Sequence, residues 1–162
     1  ENPYFDTCNN ISSLYVAKDY ISNAIIIDGD QIVTDSTILS PEFENSGYNC
    51  VWQENESKEW MLTLDDHYKV LSCSRTGGNH AWQLYGISRW TKEDGIKLKE
   101  LLELEFKEKK NIQIYWDDIA MFEHFDKFNL QGYPMYAGGV KEIDSLDELI
   151  EEDSIYRCYK GE

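Results

Sequence analysis

The stretch "AIIIDGDQIV", residues 24–33, decides the fold. Four small or apolar residues lead into Asp28, Gly29 and Asp30, and apolar residues resume at Ile32. A short uninterrupted apolar run is typical of a strand buried on both faces, as in a parallel or mixed sheet. Because ligands of open α/β sheets bind beyond the carboxyl ends of the strands, the two acids mark a candidate site.

The rest of the chain predicts alternating strands and helices. We expect amphipathic helices over 9–22, capped by the Asn9–Asn10 pair, and over 91–106, capped by Thr91, and a third after the Ser145 cap. Further strands are predicted over 48–53, 59–64, 68–74, 81–90 and 112–116, with a short one before Asp144. Links as short as "ENESK" and "DDH" make the middle section antiparallel, and 117–128 reads as helical. The sum is a layered α/β fold with a mixed sheet.

Acidic side chains follow several of these predicted strands. They are Asp28 and Asp30, Asp117 and Asp118, and Asp144. Carboxylates that lie close together repel one another, and a hard cation with oxygen ligands such as Mg²⁺ compensates for this. The alternative is that Asp28 and Asp30 only cap a loop or the next helix.

Composition narrows the classes of partner. The net charge of −16 over 162 residues argues against duplex nucleic acid, which needs a basic face. No apolar run approaches the about 20 residues of a membrane helix, and the first 20 residues do not resemble a secretory signal. The four cysteines form no CxxC pair and are expected to be free thiols. We therefore expect a soluble, cytoplasmic protein without a nucleic-acid or membrane partner.

Four blocks of the sequence, in order, resemble one family. "NNISSLYVAKDYISNAIIIDGDQIV", "KEWMLTLDDHYKVLSCS", "IQIYWDD" and "KEIDSLDELIEE" are similar to consecutive blocks of bacterial CTP:phosphocholine cytidylyltransferases, within the sugar-nucleotidyltransferase superfamily. The resemblance implies a three-layer α/β/α, Rossmann-like nucleotidyltransferase fold. It also implies Mg²⁺-dependent attack of phosphocholine on the α-phosphate of CTP, which gives CDP-choline and pyrophosphate.

The resemblance also implies roles for individual residues. Asp30 and Asp144 match the catalytic carboxylates that hold the metal. The nucleotide side of the site is assigned to four residues: Asn9, Asn10, Ser12 and Asp28. Asp28 departs from many superfamily members, which have an apolar residue at that position.

Aromatic residues near the predicted strand ends suit a quaternary ammonium group, which binds to aromatic faces. We expect Trp60, Tyr115, Trp116 and Asp117 to form a cage for choline, with Tyr85 beside the substrate phosphate. The alternative is that these aromatic side chains belong to the core. Ethanolamine phosphate and 2-aminoethylphosphonate are rival substrates.

One feature of the superfamily is missing from the sequence. A Gly-rich G-x-G-x-R loop and a Pro-Lys segment, which bind the triphosphate, have no counterpart here. We therefore expect residues 1–162 to be the C-terminal portion of a single nucleotidyltransferase domain, nearly inactive alone, with a homodimer through the face left bare. The alternatives are a related nucleotidyltransferase for a sugar phosphate or aminophosphonate, and a non-catalytic acidic interaction module.

Overall fold

The computed structural model describes residues 1–160, and its framework is a six-stranded mixed sheet. The strands in this part of the chain are β1 (Ala24–Ile27), β2 (Gln31–Val33), β3 (Gly47–Gln53), β4 (Met61–Leu64), β5 (Val70–Ser74), β6 (Ala81–Trp90), β7 (Gln131–Pro134) and β8 (Val140–Glu142). The α-helices are α1 (Ile11–Val16), α2 (Lys92–Glu103) and α3 (Leu146–Glu152). The main sheet has the order β5-β4-β6-β3-β7, with β1 beside β6, and β2 pairs with β8 separately.

Strand β6 organises the main sheet. It pairs with β3 along one edge, whereas its other edge pairs first with β4 and then with β1. All of these pairs are antiparallel, and β3 with β7 is the parallel pair that makes the sheet mixed. The predicted α/β class with a mixed sheet is confirmed.

Two details of the predicted sheet are wrong. The segments predicted over 48–53 and 59–64, now β3 and β4, are not antiparallel neighbours, because β6 lies between them; β4 and β5 are antiparallel neighbours, as predicted. Strand β1 is half-buried, with Ile27 39% exposed, and among the described residues it pairs only with β6. β1 is therefore an edge strand, and it is not buried on both faces as predicted.

The two faces of β6 contact different hydrophobic clusters, since side chains alternate along a strand. Trp90 points into the large cluster, which includes Ile11 and Leu14 of α1 and Leu98 and Leu102 of α2. On the opposite face Ile87 packs with Ile38 and Val140 in a smaller cluster. The sheet thus separates a helical layer from a layer that contains β2 and β8.

A buried arginine ties this smaller layer to the sheet. Arg89 is 4% exposed and donates from Nη1 to Asn49 Oδ1 at 2.9 Å and from Nη2 to the carbonyl of Ile38. Its guanidinium lies over the Tyr133 ring, 4.2 Å from the centroid. These contacts fix the turn at Ser36–Leu39, which directly follows β2.

Two of the three predicted helix caps are confirmed. The Thr91 hydroxyl caps α2 by accepting from the Asp94 N–H, and Ser145 with Glu148 forms the predicted capping box of α3. The helix predicted over 9–22 is instead the six-residue α1 and a 3₁₀ turn at Lys18–Tyr20. The asparagine cap is wrong, because the Asn10 side-chain oxygen accepts from the Trp116 N–H outside the helix.

The region 112–128 departs most from the prediction. Residues 112–116 do not form a strand: the Ile112 carbonyl accepts from the Asn9 N–H, and the Gln113 side chain donates to the Thr7 carbonyl. This segment is held by the N-terminal chain instead of by a ladder, so Asp117 and Asp118 do not lie at a strand end. Turns of π- and 3₁₀-helix at Ile119–Glu123 and Phe125–Lys127 replace the expected regular helix.

The state of the cysteines and the character of the helices were both predicted from composition. All four cysteines are free, as predicted. Within residues 1–160, no helix combines the length and the apolar character needed to cross a membrane.

Candidate active site

A cavity of about 680 Å³ lies where β6 changes its partner from β4 to β1. On one side of this gap the Leu84 N–H donates to the Trp60 carbonyl at 2.8 Å. On the other side the Asp28 N–H donates to the Gly86 carbonyl at 2.9 Å. Within residues 1–160 the cavity wall includes five carboxylates and no lysine or arginine; the acids are Asp28, Asp30, Glu59, Asp117 and Glu142.

Three carboxylates meet at the edge of this cavity. Asp30, Glu142 and Asp144 each offer an oxygen within 4.8 Å of the others, and all three residues are exposed. The pairing of β2 with β8 brings them together, because the Ile143 N–H donates to the Asp30 carbonyl at 2.8 Å just beyond the ladder. Partial burial and the charges of Asp144 and Asp30 raise the pKa of Glu142.

The donor set of this trio fits a hard divalent cation. All three donors are carboxylate oxygens, which Mg²⁺ prefers, and their separation lets them share one ion together with water or substrate oxygens. Burial is the largest cause of the raised pKa of Glu142, and the charges of Asp144 and Asp30 add to it; a bound cation would relieve this second contribution. Asp30 and Asp144, predicted as metal ligands from distant parts of the chain, lie together here; their ligand role stays a prediction.

The capping box of α3 fixes the position of Asp144. The Glu148 carboxylate accepts from the backbone N–H groups of Asp144 at 2.7 Å and Ser145 at 3.1 Å. The Ser145 hydroxyl in turn accepts from the Glu148 N–H. The same motif that starts the helix therefore holds the backbone of a candidate metal ligand.

Asp28 lies on the cavity floor against Gly86. A Cβ atom at position 86 would be 2.0 Å from Asp28 Oδ2, so the carboxylate occupies space that any other residue would fill. Burial, with a further contribution from the nearby charge of Asp30, raises the pKa of Asp28 to about 6. This acid is therefore partly protonated near neutral pH unless a cation binds beside it.

Asp117 is the most deeply buried acid of the cavity, at 8% exposure. Its Oδ1 has no hydrogen-bond partner among the described residues, and the buried hydroxyl of Tyr48 is likewise unpartnered. Burial and then the charge of Asp28 raise the pKa of Asp117 well above its ordinary value. A buried acceptor without a donor is costly. The nearby Tyr48 hydroxyl lowers the pKa of Asp117 and is a protein group able to donate to it; a primary ammonium ligand could also donate, whereas a quaternary ammonium could offset only the charge.

The aromatic residues predicted as a cage divide into two kinds. Trp116 is 3% exposed and packs in the core between Tyr48 and Trp90, so it reaches the cavity with only a small part of its surface. The half-buried Trp60 and the exposed Tyr115 form a wall of the cavity, with ring centroids 5.9 Å apart at 86°. We refer to Trp60 and Tyr115 as the aromatic wall. Tyr85 lies in the cavity lining between the two partners of β6.

Of the residues predicted to lie against the nucleotide, Asn10 and Asp28 line the cavity. Asn9 lies behind it, where its side chain donates to the Gln113 carbonyl. Ser12 is 1% exposed and donates to the Asn9 carbonyl. The structure thus brings two of the four to the cavity, and the other two support the segment next to it.

The sequence prediction missed Glu142 and Glu59. Glu142 belongs to both the carboxylate trio and the cavity wall, and Glu59 lines the wall beside Trp60. The signal for Glu142 was present, because Glu142-Ile143-Asp144 repeats the acid-x-acid spacing of Asp28-Gly29-Asp30. Glu59 is the first residue of the strand predicted over 59–64, and nothing local distinguishes it from the acids of the polar turn before it.

Comparison with known proteins identifies this mixed α/β sheet as a nucleotidyltransferase-type fold. Over 95% of the chain, the structure matches the CTP:phosphocholine cytidylyltransferase of Streptococcus pneumoniae with a TM-score of 0.82 and 23% identity, covering 66% of that protein. The inositol-1-phosphate CTP transferase of T. maritima matches with a TM-score of 0.64 and 15% identity, over 97% of this chain and 63% of that one.

Two curated relatives match along 158 residues. A 2-aminoethylphosphonate cytidylyltransferase of Lancefieldella rimae is 28% identical over 96% of this chain and 63% of its own length. A choline-phosphate cytidylyltransferase of Streptococcus pneumoniae is 26% identical over 96% of this chain and 60% of its own. No family model matches the sequence. The predicted resemblance to cytidylyltransferases is confirmed, and the chain spans less than two-thirds of the length of these relatives.

Proposed function

We propose that this chain provides the metal-binding and acceptor-binding part of a Mg²⁺-dependent cytidylyltransferase that transfers CMP from CTP to phosphocholine. In this reaction an oxygen of the acceptor phosphate bonds to the α-phosphorus of CTP. The bond from that phosphorus to the bridging oxygen breaks, and pyrophosphate leaves. The observation that supports this most is the meeting of Asp30, Glu142 and Asp144 at the edge of the acidic cavity.

The carboxylate trio would hold the divalent cation. When bound, such a cation neutralises charge on the α-phosphate and aligns the attacking oxygen. Phosphoryl-type transfer depends mainly on positioning and charge neutralisation, so a protein nucleophile is unnecessary. The trio's own contribution is to keep three hard donors within 4.8 Å of one another.

The remaining lining residues favour a cationic acceptor. Asp117 lines the cavity and has a buried oxygen without a hydrogen-bond partner among the described residues, and the aromatic wall of Trp60 and Tyr115 lines the same cavity. Aromatic faces with a nearby acid are suited to an ammonium group, whereas a neutral sugar is usually held by hydrogen bonds. We therefore place a phosphocholine head group against Asp117 and the wall.

A second acceptor, 2-aminoethylphosphonate, is supported by the relative from Lancefieldella rimae, which is 28% identical. Both acceptors carry a cationic nitrogen and an attacking phosphorus oxyanion. They differ in the nitrogen, because a primary ammonium donates hydrogen bonds and a quaternary one cannot. The raised pKa and free oxygen of Asp117 make this residue the point at which the two would be distinguished.

The charge of the cavity indicates where the triphosphate is neutralised. The described part of the chain gives the cavity wall five acids and no basic side chain, so the cavity would repel CTP, and one divalent cation offsets only part of that repulsion. We propose that basic groups outside residues 1–160 bind the β- and γ-phosphates. Activity of the 160 described residues alone at ordinary enzyme rates would contradict this proposal.

The reaction is tested with the protein expressed from its complete gene. Pyrophosphate release from CTP is measured with phosphocholine, 2-aminoethylphosphonate and hexose 1-phosphates as acceptors, with and without Mg²⁺. We expect Asp30→Asn and Asp144→Asn to lower kcat/KM by about 100-fold or more. Asp126→Asn is the matched control, because Asp126 is exposed and outside the cavity lining. Turnover that survives both substitutions, or that needs no divalent ion, would refute the metal role.

A further inference from the structure

The carboxylates of the adjacent residues Asp117 and Asp118 have different surroundings. Asp117 lines the cavity with an oxygen that has no partner among the described residues. The Asp118 side chain is only 5% exposed, and both of its oxygens are engaged. Oδ1 accepts from Arg75 Nη2 at 2.5 Å, and Oδ2 accepts from the Tyr115 N–H at 2.9 Å. Asp118 is thus bound to one half of the aromatic wall through the backbone.

Arg75 connects Asp118 to the other half of the wall. It follows β5 in the loop that leads to β6, and its guanidinium lies 3.8 Å from the Phe122 ring centroid and 5.7 Å from that of Trp60. Trp60 packs edge-on against both Phe122, at 5.3 Å, and Tyr115, at 5.9 Å. The contacts therefore close a ring in which each member touches the next.

The cavity faces only part of this ring. Trp60 and Tyr115 line the cavity, whereas Arg75, Asp118 and Phe122 are not among its lining residues. The ion pair stands behind the aromatic wall. A carboxylate at 5% exposure needs a charged partner, since an uncompensated buried charge is strongly destabilising, and Arg75 supplies that charge.

We propose that Arg75 and Asp118 are positioning residues that hold the aromatic wall in place and so set the selectivity of the site for an ammonium-bearing acceptor. This inference rests on the proposed function. The pair orients Tyr115 through its N–H, and it orients Trp60 through Phe122, on which the guanidinium stacks and against which Trp60 packs. Asp118 also cancels the charge of Arg75, which would otherwise repel a cationic ligand across the wall.

The kinetic test uses four variants of the protein expressed from its complete gene: Arg75→Ala, Arg75→Lys, Asp118→Asn and Lys99→Ala. Arg75→Ala and Asp118→Asn should raise KM for the aminated phosphate about tenfold, because each costs the site roughly one well-placed cation–π contact. Both should leave KM for CTP within about twofold. Arg75→Lys should recover part of the effect, because an ammonium can reach Asp118 but cannot stack like a guanidinium. Lys99→Ala removes an exposed ion pair with Asp19 outside the cavity lining and should change neither KM.

A second readout needs no substrate. The Tyr115 amide donates to a buried carboxylate, so its hydrogen exchange should accelerate in Arg75→Ala and Asp118→Asn while amides of β3 stay protected. Unchanged Tyr115 exchange, or equal increases of KM for both substrates, would overturn the positioning role. If Tyr115 exchange accelerates in these variants but the protein uses no aminated phosphate, the positioning role of Arg75 and Asp118 stands and the proposed acceptor is refuted.

Discussion

At position 86 the cavity floor has no room for a side chain. The Cβ of an alanine would lie 2.0 Å from Asp28 Oδ2 and 2.6 Å from Asp28 Cγ, so Gly86→Ala must displace the Asp28 carboxylate. We expect the free energy of unfolding to fall by about 1–3 kcal/mol and acceptor binding to weaken. Denaturant unfolding and calorimetric titration with phosphocholine measure the two effects.

Gly29 offers the matched control for stability. An added Cβ at position 29 meets nothing within 4 Å, so Gly29→Ala should leave the free energy of unfolding within about 0.5 kcal/mol of the wild type. If both alanine substitutions destabilise the protein equally, the loss at position 86 does not come from the Asp28 contact.

The buried position of Asp28 predicts an unusual dependence of stability on pH. Its pKa is raised to about 6 by burial first and by Asp30 second, whereas in the unfolded chain it returns to about 3.9. The folded state therefore holds the proton more tightly. The stability linked to this group is present below about pH 4 and is lost as the pH rises through about 6.

Substituting Asp28→Asn should remove this loss. Between pH 4 and pH 7 the wild type should lose about 1–2 kcal/mol relative to the variant, less than the full shift implies because part of the group is solvated. The raised pKa of Asp117 acts in the same direction and falls when the Asp28 charge is removed. Unfolding free energies at pH 4, 5, 6 and 7 test this, and parallel curves for the two proteins would exclude it.

At the scale of elements, what the sequence could predict depended on the range of the interactions. The caps of α2 and α3 are made within four residues, so Thr91 and Ser145 were identifiable from their own neighbours. The segment 112–116 has strand-like composition, yet its hydrogen bonds go to Asn9 and Asn10, over 100 positions away. Only the folded chain could show that these bonds replace a ladder.

The candidate site shows the same limit. The acids of the site that follow a predicted strand, such as Asp30 and Asp144, could be identified from the sequence. The pairing of β2 with β8, which adds Glu142 to them, depends on short strands of three residues each. The Arg75–Asp118 pair joins positions 43 apart and leaves no periodic trace in the sequence.

Helix α3 links secondary structure to the metal site, and Glu148→Ala tests this link. Loss of the carboxylate frees the Asp144 and Ser145 N–H groups and should lower the free energy of unfolding by about 1 kcal/mol. Because Asp144 is then less fixed, the affinity for Mn²⁺, used as a probe for the trio, should fall about tenfold by calorimetry. Glu151→Ala removes the same charge from the same helix outside the capping box; an equal loss of affinity there would mean that only charge matters.

At the scale of the whole molecule, the candidate metal ligands and the helical core lie on different sides of the main sheet. Asp30, Glu142 and Asp144 sit at the end of the β2–β8 pair, which rests on the small cluster of Ile38, Ile87 and Val140. The larger cluster beneath α1 and α2 contains most of the buried hydrophobic residues. Substitutions in either cluster should therefore lower global stability, whereas only those in the small cluster should also change the geometry of the metal ligands.

Two matched substitutions separate these contributions. Ile87 is 0% exposed in the small cluster, and Ile21 is 2% exposed in the large one. Ile87→Val and Ile21→Val should each lower the free energy of unfolding by about 0.5–1.5 kcal/mol. Only Ile87→Val should also weaken Mn²⁺ binding, by about two- to fivefold, because the layer that carries β2 and β8 packs directly on Ile87. Equal Mn²⁺ affinities in the two variants would show that the small layer keeps its position without tight packing against the sheet, and that the acids are fixed by the β2–β8 hydrogen bonds alone.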